Sequence, residues 1–475
     1  MDLASRSSSH RDVLARALEH AGAHLDALES SSVSATATLA DLRRRLARPL
    51  LDNGLDPVRV IDELVADTSG GLLGSAGGRF FGWVIGGSLP AAHAADWLTS
   101  TWDQNAGLYA CGPAAAVIEE VCGTWLKDLL GLPPAASFAL VTGCQMSHVT
   151  CLAAARHRLL SARGWDVERQ GLSGGPPIRV LTADSCHGSI ERAVRLLGIG
   201  RDAVVELPTN DQGQLIASDL EAALAERAGQ STIVVLQAGD INTGAFDPFA
   251  ELIPLARAHG AWVHVDGAFG LWVNASPGRR DHLRGVELAN SWSTDGHKWL
   301  NVPYDCGYAF VADPESHRAA MSLRASYLTH DDDARDQLDW NPEFSRRARG
   351  VATYAAIRQL GREGIADLID RNCRQAAELA ERIGSLPGAE LVWKPQINQG
   401  LVRFPDPKLH ATEADHAVRT DTVIQRIVES GEAFFGGTTW RGKRCMRISV
   451  CNWRTNDRDV DRAMIAVRSA LAREN

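Results

Sequence analysis

From about residue 138 the chain alternates short, nearly unbroken apolar runs with stretches of helical period. FALVTG (138–143) leads into a helical pattern that lasts through Arg163, IRVLTAD (178–184) into SIERAVRLLG, and STIVVLQAG (231–239) into DPFAELIPLARAHG. AWVHVDGAFG (261–270), SWSTDGHKWL and a strand at GYAFVAD (307–313) follow. Runs that are apolar throughout, rather than alternating, belong to strands buried on both faces. The pattern therefore predicts a mostly parallel sheet covered by helices. In such a sheet ligands bind beyond the carboxyl ends of the strands, so chemistry is to be sought just after each apolar run. Two long helical patterns, about 351–362 and 364–385, lead to strands at LVRFP and CMRISVC and a last helix from Asp457 to Arg473. This section predicts a smaller α/β domain.

The first hundred residues differ. Leu14, Ala17, Leu18, Ala21 and Leu25 recur at helical spacing, and the polar break SSSVSATATLA precedes a second helix around Leu39–Leu51. Strand signals are scarce, so this segment reads as an arm that must pack on something else. The glycine-rich stretch GGLLGSAGGRFFGWVIGGSLP (70–90), with its aromatics, reads as a loop. The expected division is a helical arm and dimerisation segment over 1–110, a large domain over 111–375 and a small domain over 376–475.

Composition narrows the function. With 475 residues, 45% hydrophobic and 23% charged, the chain has the make-up of a globular protein. Its net charge of −9 argues against nucleic acid as a partner. The most apolar stretch, Phe80–Leu98, is broken by Gly86, Gly87, Pro90, His93 and Asp96, which argues against a membrane span. MDLASRSSSHRDVL lacks the apolar core of a secretory signal, so the expected location is the cytoplasm. Nine cysteines without a C-x-x-C pair argue against disulfides and zinc; Cys122, Cys151, Cys306 and Cys373 read as small buried hydrophobes. The close histidine pairs His20/His24, His259/His264 and His410/His416 have no third ligand nearby, and no metal is expected.

The chemistry-bearing residues fall after the strands. Asp266 closes the apolar run WVHVD, where an unpaired carboxylate is costly. It reads either as a turn cap or as the mate of a buried cation such as a pyridinium nitrogen. Lys298 follows 32 residues later, between His297 and Trp299. A lysine in such apolar company is suited to condense with an aldehyde. The turn TGCQMSHVT opens a helix whose free N–H groups can cradle an anion, and His187 follows another strand. A carboxylate for a ring nitrogen, a lysine for an aldehyde and a cradle for a phosphate together describe a site for pyridoxal 5′-phosphate (PLP).

On the blocks HVDGAFG (264–270), HKWLNVPYDCG (297–307), HGSIERA (187–193) and AGDINTGAFDP (238–248) the chain resembles the group II PLP-dependent amino-acid decarboxylases. CGPAAAVIEEVCGTWLKDLLG (111–131) and FFGWVIGGSLP (80–90) add weaker support, and the likeness covers roughly residues 50–460. The resemblance implies PLP fold type I, related to aspartate aminotransferase. In that fold a large domain carries a mostly parallel seven-stranded sheet covered by helices, beside a smaller C-terminal α/β domain and a helical N-terminal arm. It implies a cytoplasmic homodimer acting on a small-molecule amino-acid substrate in amino-acid metabolism, with the arm wrapped around the partner.

By the same resemblance Lys298 carries the cofactor, Asp266 keeps its ring nitrogen protonated, and His187 and Ala268 lie on opposite ring faces. Gly143, Cys144, Gln145 and His297 surround the phosphate, and Gln237 and Asn242 lie near the ring hydroxyl. Phe81, Trp83 and Trp340 are the candidate substrate contacts, which makes an aromatic amino acid the first substrate to consider.

Two departures from the family pattern stand out. Thr294-Asp295-Gly296 replaces the usual Asn or Pro beside the HK pair. Many family members carry, in a mobile loop, a tyrosine that returns a proton to the substrate carbon. Between Thr329 and Gly350 this chain has none; Trp340 stands in that region and Tyr327 before it. The charge-dense loop Asp331–Arg349 is expected to be mobile and to close over substrate. The competing outcomes are an aldehyde synthase or amine oxidase, an aminotransferase using Arg447 for the α-carboxylate, and a catalytically silent relative.

Overall fold

The computed structural model describes residues 8–323 and 334–472. Seven strands form the central sheet: β1 Ser137–Val141, β2 Ile178–Ala183, β3 Val204–Leu207, β4 Ser231–Gln237, β5 Trp262–Asp266, β6 Ser291–Asp295 and β7 Gly307–Val311. Their order is β1-β7-β6-β5-β4-β2-β3, and only β7 runs antiparallel to its neighbours. All residues of β1, β2, β4, β5 and β7 are buried, as unbroken apolar runs require. The register sets Gln237 beside Asp266 and Asp266 beside Ser293, so the carboxyl ends of β4, β5 and β6 finish in one row. Gly307 starts β7 opposite Val141, and a Cβ there would stand 2.3 Å from the carbonyl carbon of Gly143. Glycine is what lets β7 pass under the turn after β1.

A second sheet, ordered β10-β11-β9-β8, is antiparallel throughout: β8 Glu390–Trp393, β9 Gln399–Arg403, β10 Gly436–Trp440 and β11 Lys443–Ser449. It shares a core with Leu379, Ile383, Val423, Ile427 and Val467. The helix Gly350–Gly384 joins the two sheets and is broken at Gly361 (φ 61°), where the sequence pattern also divides.

The N-terminal helices are α1 His10–Ala27, α2 Leu39–Leu46 and α3 Pro57–Thr68. They are well capped, by Ser9, Thr38 and Asp56, yet none of them buries a single residue. Arg16 and His20 bind Asp62 at 2.6 and 2.7 Å, tying α1 to α3. Where the arm meets the body, the buried Arg79 guanidinium donates to the carbonyls of Ser31 (2.6 Å) and Glu432 (2.7 Å).

Within the loop expected to be mobile, residues 334–349 make several buried contacts; Tyr327 and residues 331–333 lie outside the described residues. Arg346 forms a fully buried ion pair with Glu119 at 2.7 Å and donates to the carbonyls of Ala106 and Leu140. Asp339 binds Arg318 at 2.6 Å. The Trp340 ring meets His317 edge-on with centroids 5.3 Å apart, and the Trp340 carbonyl accepts from His317 Nε2 at 2.9 Å. Charge density in this segment reflects paired groups rather than a solvated lid.

Candidate active site

The strand ends converge on a cavity of about 270 Å³ bordered by Gly143, Cys144, Gln145, His148, His187, Gln237, Asp266, Ala268, Asp295 and Lys298. They come from the carboxyl ends of β1, β2, β4, β5 and β6 or the connections that follow them. Helix α4 (Pro90–Trp102) and helix α5 (Pro113–Leu129) lie before the sheet; helix α6 (Cys144–Ser161) follows β1 and starts at the cavity. His187 caps the helix Gly188–Leu196 after β2, its Nδ1 accepting from the Ser189 N–H at 3.3 Å. Gln237 ends β4 and donates through Nε2 to Ser185 Oγ at 3.1 Å. Gln145 crosses from α6 and donates to the Ser189 carbonyl at 3.1 Å.

Asp266 ends β5 and is 7% exposed. Its Oδ1 accepts the Ala268 N–H at 3.1 Å, and Oδ2 lies 3.6 Å from His148 Nε2. Burial works against the carboxylate, but His148, Lys298 and His187 more than offset it and hold its pKa below the ordinary value. Burial also lowers the pKa of His187.

Lys298 stands out among the five lysines. Lys127 holds two carbonyls, and Lys394, Lys408 and Lys443 each lie beside a carboxylate. Lys298 has no hydrogen bond or ion pair among the described residues; its Nζ lies 5.6 Å from the centre of the Phe269 ring. Behind it runs the glycine-rich loop, so close that a Cβ on Gly86 would overlap the Lys298 carbonyl oxygen at 2.0 Å.

Asp295, left out of the sequence-derived site, belongs in it. Helix α6 has no side-chain cap of its own. Asp295 Oδ2 instead accepts the Cys144 N–H at 3.1 Å, while Oδ1 accepts the His297 N–H at 2.9 Å. Burial raises its pKa, opposed by Lys298 and by these two donors. His148 and Ser189 were also missed, because nothing in TGCQMSHVT or HGSIERA says which residue of a helix start turns inward.

Four expectations are corrected. Phe81 is fully buried in the small-domain core, stacked on Phe435 with centroids 5.2 Å apart. Trp83 is exposed and leans on Phe434. Trp340 lies against His317 and does not border the cavity. The aromatics of 80–83 anchor a loop to the small domain, so within one chain they make no substrate pocket. Asn242 turns away as well, its Oδ1 accepting from Thr438 Oγ1 of β10 at 2.8 Å; its neighbour Ile241 borders the cavity instead.

The residues present fit PLP. His297 is nearly buried, its Nδ1 pairs with the Val302 carbonyl at 3.1 Å, and its Nε2 has no partner, which is what a phosphate contact needs. An unpaired lysine and a buried ionised carboxylate border one cavity, and the orphaned imidazole nitrogen belongs to the residue just before that lysine, which is not itself on the cavity wall.

Comparison with known proteins agrees. The model of the pyridoxal-dependent decarboxylase conserved domain matches residues 77–405. An aromatic-L-amino-acid decarboxylase of Bacillus atrophaeus is 25% identical over 95% of this chain and 93% of its own. An L-aspartate decarboxylase of Metarhizium robertsii is 31% identical over 70% of this chain and 67% of its own. The crystal structure of Oryza sativa TDC with PLP and tryptamine superposes with a TM-score of 0.91 at 23% identity, covering 98% of each chain. The chain belongs to the pyridoxal-dependent decarboxylase family and is a PLP-dependent amino-acid carboxy-lyase.

Proposed function

We propose that Lys298, Asp266 and His187 carry out the decarboxylation of an L-amino acid, an aromatic one being the first to consider, to its amine and CO₂. The observation that carries this reading is the unpaired Lys298 sharing one cavity with the buried Asp266. Bound PLP supplies the sink for the electron pair released as CO₂ leaves. Lys298 Nζ would hold the cofactor through its aldehyde carbon and, once released by a substrate amine, would be the amine nearest to a reacting carbon and able to carry a proton. Asp266 keeps a proton on the ring nitrogen. His187 and Ala268, which border the cavity, would flank the ring, while the start of α6 and His297 Nε2 would receive the phosphate.

Arg447 of β11 brings a cation toward this site. It makes no hydrogen bond or ion pair with the described residues and feels mainly burial and the charge of Asp240. In this reading it receives a carboxylate of the substrate and orients it.

The arm supports a homodimer. Leu14, Leu18, Leu39, Leu64 and Val65 are exposed. An open apolar hollow of about 930 Å³ lies between α1 and α3, bordered by Ala17, Ala21, Leu25, Leu64 and Leu73. A second copy of the chain is the occupant we infer, with the segment 1–110 as the dimerisation unit beside a large and a small domain. Nine free cysteines suit a reducing cytoplasm, and no helix among the described residues is long and apolar enough to cross a membrane.

The test is a panel of aromatic, acidic and basic amino acids scored for CO₂, amine, aldehyde and peroxide. Equal amine and CO₂ is the expected result. Aldehyde and peroxide would favour the second reading, which rests on the lack of a tyrosine between Thr329 and Gly350. Amino transfer without CO₂ would overturn both.

A further inference from the structure

Behind Asp266 the sheet buries a row of polar groups that the chemistry above does not use. His148 Nδ1 lies 3.0 Å from His264 Nε2, and His264 Nδ1 lies 2.9 Å from Ser291 Oγ. Ser291 Oγ also receives the indole N–H of Trp262 at 2.9 Å. His148, His264 and Ser291 are wholly buried, and Trp262 nearly so.

The far end of the row sets the direction of every proton in it. An indole N–H only donates, so Ser291 Oγ accepts from Trp262 and is free to give its own proton to His264 Nδ1. His264 then carries its hydrogen on Nε2 and donates it to His148 Nδ1. That leaves the hydrogen of His148 on Nε2, the atom 3.6 Å from Asp266 Oδ2. The reverse order would strand the Ser291 hydroxyl proton without an acceptor among the described residues and aim a lone pair at a carboxylate. Burial lowers the pKa of both imidazoles, His264 to about 3, so the row carries dipoles rather than charge.

Cys144 Sγ is the other neighbour of His148 Nε2, at 3.5 Å. Cys144, His148 and Asp266 lie close enough together to clasp a metal ion. With the thiol kept protonated by burial and the imidazole turned N–H inward, two of the three offer protons where a metal needs lone pairs.

We propose that His148 is a positioning residue for the cofactor's ring nitrogen. Through the fixed row Trp262–Ser291–His264–His148 it points one N–H at Asp266 Oδ2, which keeps that carboxylate ionised and turned toward the nitrogen. The proposal rests on the reading that Asp266 is the partner of the ring nitrogen. Nothing in it requires a charged His148, so a glutamine amide N–H at position 148 can stand in for the imidazole.

The test compares how tightly the apoprotein binds PLP and its carbocyclic analogue, in which C–H replaces the ring nitrogen, by equilibrium dialysis. The native protein is expected to prefer PLP. His148→Leu is expected to lower that preference about tenfold while leaving affinity for the analogue unchanged, and His148→Gln to restore most of it. Asp266→Ala is the control for the underlying reading and is expected to abolish the preference. If Asp266→Ala leaves the preference intact, the assignment of Asp266 fails. If Asp266→Ala abolishes it but His148→Leu does not lower it, or lowers both affinities equally, His148 is only core and the proposal is overturned. Should His148→Leu not fold, ¹⁵N shifts of labelled histidines in the native protein decide. Hydrogen on Nε2 of both His148 and His264 is expected from pH 5 to 8, and hydrogen on Nδ1 of either overturns the proposal.

Discussion

The carboxyl edge of the large sheet and the N-terminal arm solve the same problem, burying what water should not touch, in opposite ways. At the sheet edge the chain supplies its own partners. Asp295 caps α6, Arg346 and Glu119 pair in a fully buried site, and a four-residue row supports Asp266. What stays unpaired there, Lys298 Nζ and His297 Nε2, is what a cofactor would take up. The arm differs: its first three helices, α1 to α3, are capped and bury no residue. Its own ion pairs fix the helices to one another but leave their apolar faces open. Unmet polar groups at one end of the molecule thus mark a small ligand, and unmet apolar area at the other marks a protein surface.

The largest effect should come from the arm. Deleting residues 1–50 is expected to give aggregated or inactive protein, checked by light scattering after size exclusion and by turnover. An active, well-behaved monomer would erase the contrast between the two regions. At the sheet edge, Asp295→Asn is expected to tighten PLP binding about tenfold, as removing a like charge beside a phosphate should. The amide still accepts from His297 but frees the Cys144 N–H. Fluorescence titration of the apoprotein reads this, and weaker binding would show that the carboxylate is there to shape the cradle.

A smaller effect concerns His317, buried between Ser137 of β1 and Trp340. Burial pushes His317 down to about 3, far below the ordinary histidine value near 6.5. The unfolded chain therefore takes up a proton that the native protein refuses. Stability from this group is complete above about pH 6.5 and is lost as pH falls toward 3. His317→Asn is expected to flatten the pH slope of unfolding free energy by about 1.4 kcal/mol per pH unit between pH 6 and 4, measured by urea denaturation. Equal slopes in both proteins would mean that His317 is protonated in the fold.

How legible all this was depends on how local each signal is. β1, β2, β4, β5 and β7 announce themselves as unbroken apolar runs, and Asp266 and Lys298 stand out because charge is costly in such company. β3 (VVEL) is a half-exposed edge strand, and β10 (GGTTW) is built of glycine and threonine, so neither carries the apolar signature. Phe81 and Trp83 read as substrate contacts because their partners Phe434 and Phe435 lie some 350 residues away in the chain. Asp295 read only as a departure from the family pattern until the uncapped start of α6 supplied its reason. The buried pairing of Arg346 was not legible, because a buried ion pair and a surface charge run look alike in sequence.

Borohydride reduction of the holoenzyme, followed by digestion and mass mapping, reaches the centre of this picture most directly. The chain has only five lysines: Lys127, Lys298, Lys394, Lys408 and Lys443. The pyridoxyl group is expected on Lys298 alone, and Lys298→Ala is expected to lose both the visible absorbance and all measurable turnover. Label on any of the other four, or an active Lys298→Ala protein, would contradict the assignment of the site.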